Sequence, residues 1–345
     1  MHLPRPARFA ALGALSAILL SGCAAAGDSA PAGGSSSDAG FPIEIANTYG
    51  TATIDAKPER VATVAWGNYD VPLALGVVPV GMARATYGDD DADGILPWSY
   101  AALEELGATG DKLPALYDEV DGINFEQVAD TSPDVVLAAY SGLTEEEYST
   151  LTEIAPTVSF PETAWQTDWR EMALTDGEAL GMKTEAAAEV ADVEKQMADT
   201  MAKYPDVAGK TIAYAAIDPS DTSSFYVYFD SRNEVMYDLG LKPSASTEKL
   251  KADNAGAFYA TLTAETADQL SDADILVIVG GDDTLATLQK DPLLGSIPAI
   301  ARGSVAIIPD GKPLASALSG PTILSIPWAL PKIAPVLEDA ATKVP

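Results

Sequence analysis

Histidine and cysteine are almost absent from this sequence. Its 345 residues include one His, His2, and one Cys, Cys23. From residue 24 onward the chain therefore offers neither an imidazole nor a thiol, which excludes Ser-His-Asp and Cys-His nucleophilic catalysis there. Zinc sites built from His and Cys, and haem held by His, are excluded for the same reason. An enzyme on this chain would have to use carboxylate, Tyr, Lys or Ser chemistry.

Basic residues are also scarce. The chain has 20 Lys and Arg against 51 Asp and Glu, for a formal net charge of −31. Because a nucleic-acid-binding protein has to neutralise phosphates, this balance argues against a nucleic-acid partner. It also disfavours electrostatic adhesion to an anionic lipid surface. The hydrophobic content of 47% is ordinary for a globular protein, and the length is sufficient for two domains.

The N-terminus carries the pattern of an export signal. Arg5 and Arg8 precede the apolar residues 9–20, a run too short to span a bilayer and typical of a signal-peptide core. The run ends in Leu20-Ser21-Gly22-Cys23, which resembles the bacterial lipobox. The motif predicts lipidation of Cys23. An ordinary secretory signal with a chance Cys is the weaker alternative.

This interpretation divides the N-terminal region into two segments. Residues 1–22 are a lipoprotein signal peptide, and residues 23–40, which are small and polar, are a flexible tether. We therefore expect a protein on the extracytoplasmic face of the cell membrane, held there through its lipid anchor only.

The longest amphipathic segment lies in the middle of the chain. Residues 184–204 place their apolar side chains at steps of three or four, which predicts one long helix with Thr184 as its N-cap and Pro205 at its end. The members of this stripe are Ala186, Val190, Val193, Met197, Met201 and Tyr204. Strand–helix alternations begin near Val61 and restart at Thr211. We therefore predict an α/β protein with lobes at 41–181 and 207–345, a connecting helix at 182–206, and a ligand cleft between the lobes.

The first lobe resembles a known family. Residues 57–61, KPERV, precede a predicted strand, and residues 74–81, ALGVVPVG, follow it. This opening is similar to that of the siderophore, haem and cobalamin solute-binding lipoproteins of ABC importers. The resemblance extends along most of the chain after the tether, and its fold, the class III periplasmic-binding-protein type, has two α/β lobes joined by a single long helix.

The resemblance implies a binding protein rather than an enzyme. It would capture a ferric siderophore and deliver it to an ABC permease dimer with its ATPase, as a monomer with no metal or cofactor of its own. A haem or cobalamin receptor of the same fold remains an alternative. A cell-surface hydrolase with paired carboxylates is a third possibility, although no spacing of acids singles out such a pair.

Candidate ligand contacts are inferred from residue positions at strand ends and loop flanks and from the family pattern. Trp66 and Tyr140 come after predicted strands, at the sheet edge that carries ligands in open α/β folds. Trp66 as an ordinary core residue, and Arg232 as the partner of a nearby acid, are the open alternatives. The full set is Trp66, Arg84, Tyr87, Trp98, Tyr140, Trp165, Tyr226, Tyr228 and Arg232.

Residues 262–281 repeat the arrangement of residues 123–139. Each is predicted to carry a capping residue, a Glu in the first turn of a short helix, and a strand led by Asp. The resemblance implies that Glu126 and Glu265 dock onto arginines of the permease. Two unrelated helix-start glutamates are the alternative.

Three other segments give expectations about local structure. Asp89-x-Asp91-x-Asp93-Gly94 matches the first half of a calcium loop, but Tyr100 stands where the closing Glu belongs, so a solvated loop is favoured over calcium. Residues 314–319 are predicted as a small-residue loop beneath the cleft. In residues 325–337, Pro327 and Pro331 predict the start and a break of the closing helix.

The absence of arginine at two positions predicts the class of siderophore. Relatives that bind anionic catecholates resemble one another in a triad of Arg, two members of which match residues 140–143 and 280–282 here, where no Arg occurs. Together with the net charge, this predicts a hydroxamate or mixed-ligand siderophore over a triscatecholate.

Overall fold

The computed structural model describes residues 40–218 and 221–345. The predicted signal peptide, nearly all of the predicted tether and the lipidation site Cys23 lie outside this range. Among the described residues, no helix combines the length and the hydropathy needed to cross a membrane.

The first lobe is built on a parallel sheet. An antiparallel hairpin, β1 (Ile43–Asn47) and β2 (Gly50–Ile54), precedes it. The five strands of the sheet are β3 (Val61–Thr63), β4 (Gly81–Ala83), β5 (Ala115–Tyr117), β6 (Val135–Ala138) and β7 (Thr157–Ser159). They lie in the order β5-β4-β3-β6-β7. The helices are α1 (Asp70–Ala74), α2 (Pro97–Glu105), α3 (Phe125–Asp130), α4 (Glu145–Ile154) and α5 (Trp169–Ala179). Every residue of β3, β6 and β7 is buried, as expected of a parallel sheet covered on both faces.

The connecting helix is α6 (Lys183–Met201). Its buried residues are Ala186, Val190, Val193 and Met197, which confirms the predicted stripe. The predicted N-cap was wrong: Met182 is the cap residue, and Thr184 lies exposed in the first turn. The helix ends before Tyr204, because Pro205 starts a separate 3-10 turn, Pro205–Val207.

The second lobe is built on a mixed sheet. Its strands are β8 (Thr211–Asp218), β9 (Asp221–Tyr228), β10 (Lys242–Pro243), β11 (Tyr259–Thr263), β12 (Ile275–Gly280) and β13 (Val305–Pro309). The order is β11-β9-β8-β12-β13, with β10 beside β8. Strand β9 runs antiparallel to β8 and β11, while β12 runs parallel to β8 and β13. The helices are α7 (Ser231–Asp238), α8 (Ala245–Asp253), α9 (Thr284–Lys290), α10 (Pro298–Arg302), α11 (Pro313–Ser319) and α12 (Ser325–Ala341). The fold is the predicted class, two α/β lobes with one long helix between them.

Two predictions about the C-terminal segments were wrong. Residues 314–319 form helix α11 rather than a loop, since Pro313 occupies its first turn, where a fixed φ favours a helix start. Helix α12 begins before Pro327 and continues without a break through Pro331 and Pro335. Its apolar face, which includes Ile333 and Leu337, is fully buried. This burial offsets the hydrogen bonds that the two prolines remove.

A buried carboxylate joins the first lobe to the start of α12. Asp70 accepts hydrogen bonds from Ser99 Oγ at 2.6 Å, Trp98 Nε1 at 2.7 Å and Thr322 Oγ1 at 2.5 Å. Burial raises the pKa of Asp70 to about 6, although the three hydrogen bonds oppose the shift. The contact fixes the segment before α12 against α1 and α2.

A second buried acid lacks such partners. Asp176 lies on α5 with no exposed surface, and neither of its carboxylate oxygens has a hydrogen-bond partner among the residues that the structure describes. Burial raises its pKa well above the usual value of 3.8. The folded protein therefore favours the protonated form of this side chain.

We predict that Asp176 makes stability fall as the pH rises. Because its folded-state pKa is raised, its favourable contribution is present below the unfolded value of 3.8 and is lost as the pH rises through the folded value. Asp176→Asn, which cannot ionise, should flatten the dependence of the free energy of unfolding on pH. Urea denaturation of both proteins between pH 4 and pH 8 measures the difference. Parallel curves would contradict the prediction.

Candidate functional site

A cleft of about 460 Å³ lies between the two lobes. Trp66 and Tyr87 line it from the first lobe, and Tyr226, Tyr228, Arg232 and Asp310 line it from the second. A hydrogen bond crosses the cleft, from Tyr87 Oη to Asp310 Oδ1 at 2.7 Å. Seven of the nine predicted contact residues surround this cleft or the two extensions described below.

Two extensions continue the cleft. The N-lobe recess, of about 290 Å³, is lined by Trp66, Glu119, Ser141, Glu147 and Trp165 among others. A smaller extension of about 200 Å³ joins Trp66, Tyr140 and Trp165 of the first lobe to Arg232 of the second. Trp66 borders all three spaces and therefore lies at the centre of the site.

The turn after β3 projects Trp66 into the cleft. Ala65 has φ of +60° and Gly67 has φ of +76°, so the backbone on both sides of Trp66 is left-handed. The side chain of Trp66 is 45% exposed. Its ring lies parallel to that of Tyr87, with 6.5 Å between the centroids and 6° between the planes. The functional interpretation of Trp66 is thus favoured over a core role.

A buried amide connects this turn to the end of β6. Asn68 Nδ2 donates to Val64 O at 2.8 Å and to Tyr140 O at 2.9 Å, and Asn68 Oδ1 accepts from Tyr140 N at 3.0 Å. Both strand ends are therefore held in register. The predicted ligand edge of the sheet is a rigid unit.

Trp165 packs on the same edge. Its indole lies edge-on to the Tyr140 ring, with 5.5 Å between the centroids and 74° between the planes. An added Cβ at Gly142 would lie 2.1 Å from Trp165 Nε1, so the close approach requires glycine there. Trp165 lies in the segment before α5. Trp169, on the helix, is only 1% exposed.

The second lobe contributes an aromatic wall and an arginine. Tyr226 and Tyr228 share one face of β9, and both rings contact that of Tyr259. The Arg232 guanidinium lies 4.0 Å from the centroid of the Tyr228 ring and forms an ion pair with Asp230. Arg232 therefore lines the cleft and also has the acidic partner that was the alternative.

The structure places two predicted contact residues, Arg84 and Trp98, outside the lining of the main cleft. Arg84 is exposed and borders a small recess of about 20 Å³ beside Trp66 and Tyr87. Trp98 reaches this recess but is only 5% exposed, and its indole N–H donates to Asp70. The prediction that Trp98 contacts a ligand at the cleft surface is wrong, because Trp98 is buried and its ring packs against Trp328.

The acidic loop before α2 has a structural role. The carboxylates of Asp89, Asp91 and Asp93 lie within 4.8 Å of one another. Asp89 accepts hydrogen bonds from the backbone N–H groups of Ala92 and Gly94, and Asp93 accepts one from Ile95. These bonds stabilise the turn.

Glu119 is a site residue that sequence reasoning missed. Its Oε2 accepts a hydrogen bond from Ala65 N at 2.9 Å, and its buried Oε1 has no partner within residues 40–218 and 221–345. Burial raises the pKa of Glu119 to about 7; the hydrogen bond from Ala65 lowers it, and Glu147 raises it further. Strand β5 could have indicated this residue, because it ends two residues before Glu119 at the ligand edge of the sheet, but the strand was not predicted.

Glu147 is a second acidic residue near the same edge of the sheet. It forms a capping box with Thr144 at the start of α4: its Oε2 accepts from Thr144 N at 2.8 Å. It also lines the N-lobe recess, close to Glu119.

The two candidate docking glutamates are both exposed, in one lobe each. Glu126 lies in the first turn of α3, and Asn124 caps that helix through a bond from Gln127 N, as predicted. The predicted helix-start position of Glu265 was wrong. Glu265 lies in the turn between β11 and a 3-10 helix, Ala267–Asp272, and accepts a bond from Thr263 Oγ1 at 3.1 Å.

We predict that Gly142→Ala displaces Trp165, because the new methyl group would overlap its indole. In a Trp66→Phe background, the fraction of tryptophan emission quenched by acrylamide should rise. Gly281→Ala is the matched control, since an added Cβ there meets nothing within 4 Å. Equal quenching in the two variants would contradict the assigned packing.

Comparison with known proteins identifies the fold family. The family model described as "Periplasmic binding protein" matches residues 61–311. Among solved structures, PiaA of Streptococcus pneumoniae TIGR4 in complex with ferrichrome is similar, with 40% identity and a TM-score of 0.83, covering 88% of this chain and 100% of that one.

Curated relatives are more distant. The probable siderophore-binding lipoprotein YfiY of Bacillus subtilis is 26% identical over 67% of each chain. The ferric enterobactin-binding periplasmic protein FepB of Escherichia coli is 24% identical over 84% of this chain and 88% of its own. Given the matched two-lobe fold and the extent of the family match, this chain belongs to the periplasmic binding protein family.

Proposed function

We propose that this protein is a lipid-anchored extracytoplasmic receptor that captures a ferric siderophore and passes it to an ABC importer. The observation that carries the proposal is the aromatic cleft between the lobes, in which Trp66, Tyr87 and Tyr228 face one space together with Arg232. The 40% identity with a protein solved with ferrichrome supports the same conclusion. Family members are substrate-binding proteins, so binding and release are the whole of the proposed chemistry.

The cleft residues suggest how such a complex is held. The rings of Trp66, Tyr87 and Tyr226 pack against the organic shell of the chelate. Arg232 donates charge-assisted hydrogen bonds to the oxygens that surround the iron. The siderophore supplies the ligands of the iron, so the protein requires no His or Cys.

The electrostatics of the cleft favour a neutral or cationic complex. Arg232 is paired with Asp230, and Glu119, Glu147 and Asp310 add acidic groups to the lining. A triscatecholate chelate carries several negative charges, which these carboxylates would repel. The coordination core of a ferric trihydroxamate, Fe³⁺ with three hydroxamate anions, is neutral. We therefore propose a hydroxamate or mixed-ligand siderophore.

Delivery requires a docking surface. We propose that Glu126 and Glu265, exposed on the first and second lobes, contact arginines of the permease dimer, which works with its ATPase. One copy of this chain, as a monomer, would present one glutamate to each permease subunit.

We predict that Trp66→Ala weakens binding of ferrichrome by about tenfold or more, because a central aromatic anchor is lost. Isothermal titration calorimetry on residues 38–345 measures the change. Leu293→Ala is the matched control, since Leu293 is 50% exposed and lies outside the cleft lining. Equal losses in both variants would argue against Trp66 as a contact.

We predict that the charge reversals Glu126→Lys and Glu265→Lys leave ligand affinity unchanged but weaken permease docking by roughly tenfold. Receptor-stimulated ATPase activity of the cognate importer in proteoliposomes measures docking. Glu189→Lys, at an exposed position of α6, is the control. Full stimulation by the double variant would remove both glutamates from the docking surface.

A further inference from the structure

The N-lobe recess is lined by polar side chains to which the proposed contacts with the chelate assign no role. Its volume of about 290 Å³ is additional to that of the main cleft, and it opens beside Trp66. Two of its lining side chains, Glu119 and Glu147, are carboxylates. No Lys or Arg lines it among the described residues.

Two buried polar atoms in this recess have no protein partner. Ser141 is fully buried at the end of β6, and its Oγ makes no hydrogen bond to any part of the chain that the structure describes. Glu119 Oε1 is buried and unpaired in the same way. Most buried polar atoms in folded proteins have a hydrogen-bond partner. Here two atoms that lack one belong to residues lining the same recess, where a ligand can supply the partner.

The lining selects the charge of that ligand. In its ionised form Glu119 only accepts hydrogen bonds, so a ligand group that pairs with Oε1 of the carboxylate has to be a donor. The indole rings of Trp66 and Trp165 border the same space, and aromatic faces attract cations. Burial beside Glu147 raises the pKa of Glu119, and a bound cation would favour its ionised form.

We propose that the N-lobe recess binds a protonated amine carried by the ferric hydroxamate complex, with Glu119 as its main counter-charge. Ser141 accepts a further hydrogen bond from the ammonium group, and Trp66 and Trp165 enclose it. The recess would make the receptor selective for chelates with an amino-terminated arm. This inference rests on the proposed function.

The direct test varies the ligand and leaves the protein unchanged. Ferrioxamine B is a ferric trihydroxamate with a terminal ammonium, and its N-acetylated derivative lacks only that charge. Ferrichrome serves as a neutral reference. Calorimetry with the wild-type chain should give about tenfold tighter binding of the amine form than of the acetylated form, a difference typical of one charge contact. Equal affinities for the two forms would overturn the proposal.

The Glu119→Gln variant assigns the effect to a residue. It should reduce the preference for the amine form over the acetylated form to about threefold or less. The ratio of the two affinities is the readout, because Glu119 also holds the backbone beside Trp66 and its loss can change the affinity for every chelate. Glu189→Gln, on the exposed face of α6, is the matched control and should keep the full preference. A full preference for the amine form in Glu119→Gln would overturn the role of that carboxylate. Ser141→Ala is a second, smaller substitution in the recess.

The possible outcomes distinguish failure of this inference from failure of the proposed receptor function. If ferrichrome and both ferrioxamine forms bind with equal affinity, the receptor function stands and the amine site fails. If the folded protein binds none of the three, both proposals fail.

Discussion

The cleft depends on one buried amide. Asn68 makes two hydrogen bonds with the backbone of Tyr140 and one with Val64 O, and so joins the turn after β3 to the segment after β6. Trp66 projects from the first of these segments, and Tyr140 with Gly142 lies on the second. Trp165 then packs on Tyr140 and Gly142. Because a buried amide is costly without its partners, this arrangement is strongly specified, and the aromatic groups are positioned before any ligand arrives.

The acidic excess of the chain has a local counterpart in the cleft. Its wall contains arginine, but Asp230 pairs with Arg232, and the N-lobe recess is lined by Glu119 and Glu147. A surface with a net charge of −31 already repels anions at a distance. The acidic groups that line the cleft and the recess extend the same preference to short range. Long-range and short-range electrostatics therefore favour the same class of chelate, one without surplus negative charge.

Much of this architecture was predictable because it follows from local patterns. The apolar stripe of α6 and the alternation of strands and helices fixed the two-lobe class, and residue type at strand ends identified Trp66 and Tyr140. What failed depended on tertiary packing. Helix α12 continues through Pro331 because its apolar face is buried, and Trp98 faces inward because Asp70 needs its N–H group. Glu119 was missed because β5 has only three residues, too few for a clear strand pattern.

The central claim is that the cleft takes a ferric hydroxamate without excess negative charge. Native mass spectrometry of the folded chain with equimolar ferrichrome and ferric enterobactin tests it most directly, since both chelates compete for one cleft. The account predicts one ferrichrome per chain and little enterobactin adduct. A predominant ferric enterobactin adduct, or no adduct with either chelate, would contradict it.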